Sequence, residues 1–243
     1  MCGIFGHFSS EPLRRKHLQP LRVAGLSQAA RGEDAFGFAW CNATGGIDAY
    51  KQSGSIADHL KSLGTGIGSL AMIGHTRMAT HGSPDDNSNN HPHAFRIGGM
   101  QAYLVHNGVI RNYAEICRLR GLTMTTECDS EVVARHMESG AGGILNRLKD
   151  AVSDIDLYAP FAAAILTPHH VILARRGNPL YWSENGSTRW FASTAAGLTG
   201  RHWLVPDNKA FCISIDGGEV TSVDLNKRIP SSMQFLGSDL FSR

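Results

Sequence analysis

The sequence predicts an α+β fold: two β-sheets packed together, with helices on their outer faces, in a single domain. Three observations lead there. Short apolar strand patterns recur from Gly3 to Val105 and again from Phe161 to Val223. The main cluster of helical patterns lies between these two groups, from Asn112 to Val152. No internal repeat, low-complexity tract or linker divides the 243 residues, a length that can bury a full core without disulfides or metals.

The elements follow in chain order. Gly3–Phe8 reads as a short apolar strand. Leu13–Ala30 carries apolar residues at helical spacing (Leu18, Leu21, Leu26, Ala29), with Pro20 marking a kink or a restart. A polar turn, Arg31 to Asp34, precedes a strand over Phe36–Trp40, and Gly45-Gly46 turns the chain into another at Ile47–Lys51. Ser55 has the chemistry of an N-cap for a short helix over Ser55–Leu63. Leu70–Thr76 is a buried strand, and Thr80–Ala94, rich in Asn, Asp, Ser and Pro, is a loop. The strand Gln101–Val105 runs into His106-Asn107-Gly108, and helices are expected over Asn112–Leu119, Asp129–Ser139 and Gly142–Val152. Strands follow at Phe161–Leu166, Val171–Arg175, Leu180–Trp182, Arg189–Ala192, Phe211–Ile215 and Glu219–Val223, the last two joined at Gly217-Gly218. Asn226–Arg243 has weak periodicity and reads as a C-terminal tail to a domain spanning residues 2–225.

Composition narrows the function. Lys and Arg total 23 against 21 Asp and Glu, a net charge of +2, which disfavours a nucleic-acid-coating surface. No apolar run approaches the roughly 20 residues that span a bilayer, and no basic segment leads into an apolar one at the N-terminus. The expected location is cytoplasmic, with neither membrane nor nucleic acid as partner. The five cysteines are odd in number and lack CxxC spacing, so no disulfide framework or zinc ribbon is expected. Cys41, Cys117, Cys128 and Cys212 are expected as small buried apolar residues. Twelve histidines raise the question of a metal, but the close pairs His91/His93 and His169/His170 lack helical i,i+4 spacing and neighbouring carboxylates. They read as loop and edge-strand residues, and neither metal nor cofactor is expected.

Cys2 stands apart. Removal of Met1 would give one residue both a thiol and a free α-amine. A thiol attacks carbonyls only as thiolate. An α-amine of pKa about 7.7–8.0 is a base near neutral pH, so nucleophile and base share a residue. Acyl transfer also needs an oxyanion hole. Asn107 offers a side-chain NH2, and Gly108 a backbone N–H unobstructed by a Cβ, although Asn-Gly is also a common turn pair. Arg77 has the planar fork that clamps a carboxylate, with Thr80 and His81 as nearby donors. Asp129 reads either as a helix cap or as the acceptor for an ammonium group. Carboxylate clamp, ammonium acceptor and acyl-transfer centre together describe a site for an α-amino acid with a side-chain carbonyl.

Five blocks in this order, Cys2 to Gly6, Arg31 to Asp34, Gly74 to Gly82, His106 to Ile110 and Asp129 to Val132, resemble the class II glutamine amidotransferases, which are N-terminal-nucleophile hydrolases. The pattern is most similar to the glutaminase domain of glucosamine-6-phosphate synthase, over about residues 2–225. The resemblance implies a four-layer αββα sandwich and hydrolysis of L-glutamine to glutamate and ammonia through a γ-glutamyl thioester on Cys2. It implies an oxyanion hole from Asn107 and Gly108. Arg77 would bind the substrate carboxylate, Thr80 and His81 would lie in the closing loop, Asp129 would receive the ammonium group, and Arg31 would support the Cys2 region. Two departures stand out. Met78 replaces a usual aromatic residue beside the polar lid segment Ser83–Asn90, and the synthase domain usually fused to the glutaminase is missing. The resulting expectation is a stand-alone glutaminase whose ammonia passes to a separate synthase protein. The rival readings are a γ-glutamyl amide hydrolase acting on a small metabolite and a non-catalytic regulatory subunit.

Overall fold

Alternation along two strands sets the layers. In β1 (Gly3–Ser9), Ile4 and Phe8 point to one side and Phe5 to the other, all buried. In β7 (Phe161–Leu166), Ala162, Ala164 and Leu166 face one way, while Phe161, Ala163 and Ile165 face the other. A strand buried on both faces reads as a continuous apolar run, and each fully buried Phe or Ile contributes about 1.5–3 kcal/mol. The structure, a computed structural model, describes residues 1–225; the tail expected over Asn226–Arg243 lies outside the described residues.

The remaining strands are β2 (Ala35–Asn42), β3 (Ile47–Ser53), β4 (Ser69–Arg77), β5 (His93–Ile97), β6 (Met100–Gly108), β8 (His170–Arg176), β9 (Tyr181–Asn185), β10 (Thr188–Ala192), β11 (His202–Leu204), β12 (Lys209–Ser214) and β13 (Val220–Asp224). The helices are α1 (Leu18–Ala29), α2 (Tyr113–Arg120), α3 (Glu131–Ser139) and α4 (Ile144–Asp154). One antiparallel sheet has the order β11-β9-β10-β1-β4-β2-β3 and the other β13-β12-β8-β7-β6-β5. Ile4, Phe8 and Ile73 of the first sheet meet Val105, Ala164 and Leu173 of the second in a central core. Phe5, Phe38 and Met72 face Leu21 and Ala24 of α1. Phe161 and Ile165 face Val133, Met137, Leu148 and Val152 of α3 and α4. Three cores between four layers make an αββα sandwich, the architecture the resemblance implies. Among the described residues no helix is long and apolar enough to cross a membrane.

Several boundaries differ from expectation for physical reasons. Helix α1 starts at Leu18, so Pro20 lies in the first turn, where a missing N–H costs nothing. Its buried face is Leu21, Ala24, Gly25 and Gln28, and Leu26 is exposed. The segment after Ser55 forms two 3-10 turns, Ile56–His59 and Ser62–Gly66, although Ser55 does cap, accepting from Ala57 N at 3.3 Å. Strands β5 and β11 have no counterpart among the expected elements. The first begins inside the expected loop and pairs with β6, and the second is an exposed three-residue edge. Cys41, Cys128 and Cys212 are buried as expected, but Cys117 is only half-buried.

The histidines require the largest correction. His91 lies in a loop and His93 opens the edge strand β5, as expected, but both are buried, as are His7, His75, His106 and His136. Burial lowers His7 and His75 to about 3 and His106 to about 4, so these rings are neutral at physiological pH.

Candidate active site

Three strand ends converge at one end of the sandwich. Cys2 immediately precedes β1, whose Gly3 pairs with Thr76 near the end of β4. Asn107 and Gly108 close β6. The close approach at the start of β1 needs glycine: a Cβ on Gly3 would lie 2.5 Å from Gln28 Cβ and 2.6 Å from Thr76 Oγ1. Cys2, Met78, Thr80, Asn107 and Gly108 line one cavity of about 740 Å³, together with Met1, Arg111 and the wall Asp156–Pro160.

The Cys2 thiol donates to the Met78 carbonyl at 3.6 Å. Burial pushes this thiol up; the Met78 contact, the terminal ammonium and Arg77 pull the other way. Met1 is in place, so the chain's free amine is on Met1 rather than Cys2, and it lies 2.9 Å from Met78 Sδ. Arg31 donates through Nε to the Cys2 carbonyl at 2.9 Å, which fixes the backbone at Cys2. The turn carrying Arg31 also braces the next segment. Asp34 accepts from Ala79 N at 2.7 Å, and a Cβ on Gly32 would lie 2.3 Å from the Arg77 carbonyl carbon.

At the end of β6 the donor chemistry is unspent. Asn107 is 2% exposed, and its Nδ2 has no hydrogen-bond partner among the described residues. Its carbonyl accepts from Asn178 Nδ2 at 2.7 Å. A Cβ on Gly108 would meet the Pro160 carbonyl oxygen at 2.5 Å and His106 Nε2 at 2.6 Å, so glycine is required by space.

Arg77 and Asp129, each 2% exposed, lie behind the cavity wall. The Arg77 fork donates to Asn90 Oδ1 at 2.7 Å, to the Gly82 carbonyl at 3.0 Å and to the His81 carbonyl. It thereby holds the loop that contains Thr80 and His81. Asp129 caps no helix: its Oδ2 accepts from Ile110 N at 2.6 Å, pinning the chain that leaves Gly108. Its Oδ1 faces His81 Nδ1 at 3.7 Å. The structure thus brings Cys2, Asn107, Gly108 and Thr80 to one cavity, and Arg77, His81 and Asp129 to its supporting layer. Asn178, Arg111 and the Ser130 hydroxyl, 2.8 Å from His106 Nδ1, are further parts of this constellation. Ser130 lies within the Asp129–Val132 block and Arg111 directly follows the His106–Ile110 block, whereas no local pattern marks Asn178, which reaches Asn107 across 71 residues.

Comparison with known proteins gives a consistent picture. A family model described as "Glutamine amidotransferase domain" matches residues 75–200. The glutamine–fructose-6-phosphate aminotransferase (isomerizing) of Gluconobacter oxydans is 35% identical over 190 residues, 74% of this chain and 29% of that protein. Its Pseudomonas aeruginosa counterpart is 32% identical over 191 residues, again 74% of this chain and 30% of that protein. The chain therefore corresponds to about three tenths of the length of these relatives. Among solved structures, the glutamine phosphoribosylpyrophosphate amidotransferase of B. subtilis superimposes with a TM-score of 0.76 at 24% identity, covering 93% of this chain and 50% of that one. A glutamine aminotransferase class-II domain protein of Silicibacter pomeroyi gives 0.61 at 14% identity, covering 93% and 100%. At these identities the structural likeness is one of fold.

Proposed function

The chain belongs to the glutamine amidotransferase domain family, and on that premise we propose that it is a class II, N-terminal-nucleophile member that hydrolyses L-glutamine to glutamate and ammonia through a γ-glutamyl thioester on Cys2. Removal of Met1 turns the Cys2 nitrogen into a free amine, which takes the thiol proton. The thiolate attacks the side-chain carboxamide carbon. Asn107 Nδ2 and the Gly108 N–H receive the oxyanion. The amine returns its proton to the leaving nitrogen, ammonia departs, and water hydrolyses the thioester. The single observation that carries this reading is the unpartnered Asn107 amide in the same cavity as the Cys2 thiol.

In this reading Arg77 binds the substrate carboxylate by exchanging the His81 and Gly82 carbonyls for it as the Thr80–His81 loop closes. Asp129 receives the ammonium through Oδ1, the oxygen that faces His81. Arg31 acts as a positioning residue through the Cys2 carbonyl. The ammonia passes to a separate synthase protein, a transfer tested by assaying glutaminase activity with and without candidate acceptor proteins. Stimulation by one of them is expected, and indifference to all overturns the transfer.

Purified chain with Met1 removed, verified by mass spectrometry, is expected to release glutamate and ammonia, and Cys2→Ala to abolish this. Full activity in the alanine variant would overturn the mechanism. The cavity volume favours a second substrate reading, because about 740 Å³ exceeds what glutamine fills and Tyr158, 92% exposed, lines its rim. A γ-glutamyl amide with a larger leaving group would use the same Cys2 chemistry. Comparing kcat/KM across a panel of γ-glutamyl compounds separates the two substrates.

A further inference from the structure

Behind the active-site loop, the side chains of His91, His93 and Cys128 converge with their ligand-capable atoms all within 4.8 Å of one another. All three are buried. Neither ring nitrogen of His91 nor Nε2 of His93 has a hydrogen-bond partner among the described residues. Buried imidazole nitrogens are ordinarily paired, so three unpaired ones facing a thiol need an explanation. His75 adds another, Nδ1, with its ring centroid 4.0 Å from that of His91. We propose that His91, His93 and Cys128 form a binding site for a borderline-soft divalent metal ion of the zinc class.

The donor chemistry selects the ion. Two imidazoles and one thiolate suit zinc, whereas calcium and magnesium demand oxygen ligands. Three protein ligands leave a fourth position for water or a further nitrogen. Binding replaces the Cys128 S–H bond with a metal–sulfur bond, and the proton goes to solvent. The frame around the trio is already assembled. His93 begins β5 and pairs with Leu104 of β6. Glu127 N donates to Asn89 Oδ1 at 2.8 Å, and Asn89 Nδ2 donates to Glu127 Oε2 at 3.3 Å, so the segment that leads through His91 into β5 and the segment carrying Cys128 are held together without metal. A metal would add a second tie between the same segments. One contains Asn90, which holds Arg77, and the other runs directly into Asp129. The ion is thus placed to lock the supporting layer of the active site.

This inference stands apart from the glutaminase reading, and its test reads the metal directly. The full chain in a Cys2→Ser background, which removes the half-buried thiol of the cavity as a competing ligand, is stripped with chelator. It is then titrated with Zn²⁺ against a chromophoric competitor and with Co²⁺ as a spectroscopic probe. One equivalent per chain and a thiolate-to-cobalt charge-transfer band are expected. Cys128→Ser should abolish the band, and His91→Gln or His93→Gln should weaken Zn²⁺ binding at least tenfold. X-ray absorption of the zinc-loaded chain reads the ligand set without a Cys128 or histidine variant, and one sulfur with two imidazoles is expected. A shell without sulfur, absence of binding, or unchanged affinity in a folded Cys128→Ser chain would overturn the site.

Discussion

Asn107 is held from one side and open on the other. Asn178 fixes its carbonyl at 2.7 Å while its own amide stays unpartnered. Such a preorganised donor acts where charge develops, so Asn107→Ala is expected to lower kcat about 10²–10³-fold with little change in KM. Steady-state glutamate release measures this, and a loss confined to KM would move Asn107 from oxyanion binding to substrate binding. Gly108→Ala differs in kind. Its Cβ would lie 2.5 Å from a backbone carbonyl that cannot rotate away, so the β6 end must shift. A stability loss of about 1–3 kcal/mol is expected in denaturant titration, alongside lost activity. Both residues were legible in the sequence as an Asn-Gly pair closing a strand. Asn178 was not, because its contact with Asn107 joins segments 71 residues apart.

Helix α3 is set by Glu131, a buried carboxylate in its first turn. It accepts from the backbone nitrogens of Thr125 and Thr126 at 3.1 and 2.7 Å, from their hydroxyls at 2.6 and 2.8 Å, and from Arg135 Nε at 3.0 Å. Burial alone would raise its pKa, but these hydrogen bonds hold it below the ordinary carboxylate value. Glu131→Gln removes charge-assisted bonds and turns an acceptor into a donor, so about 2–4 kcal/mol of stability should be lost. A denaturant midpoint equal to wild type would show that α3 does not depend on this cluster. The sequence made α3 visible through its apolar periodicity but left Asp129 open between a helix cap and an ammonium acceptor, because its bond from the Ile110 N–H joins residues that spacing does not bring together. Strand β5 was similarly hidden, since its alternation starts among the polar residues of the preceding loop.

Across the whole molecule, neutral buried histidines couple folding to pH. His7 and His75 titrate at about 3 and His106 at about 4 in the folded chain, against an ordinary value of 6.5. Below about 6.5 the unfolded chain binds protons that the native chain refuses, so stability is fully present above that pH and is lost progressively as pH falls toward 4 and then 3. Thermal melts should therefore be level in this respect above neutrality and fall steeply below pH about 6. A flat Tm from pH 7 to 4 would show that these rings are charged in the fold. Activity has a different profile. The Cys2 thiol is raised by burial, and thiolate grows with pH, so kcat/KM is expected to climb from neutral into mildly alkaline solution.

Strand and helix periodicities, the Cys2 position and the order of the five motif blocks are properties of neighbouring residues, so the sequence by itself determined the layer pattern, the family and the residues to inspect. Which histidines are buried, what Asp129 holds, and the meeting of Cys128 with His91 and His93 depend on contacts between distant segments. Only the tertiary structure decided these. The strength of a polar group's interactions depends on distance and burial, and neither can be read from spacing along the chain.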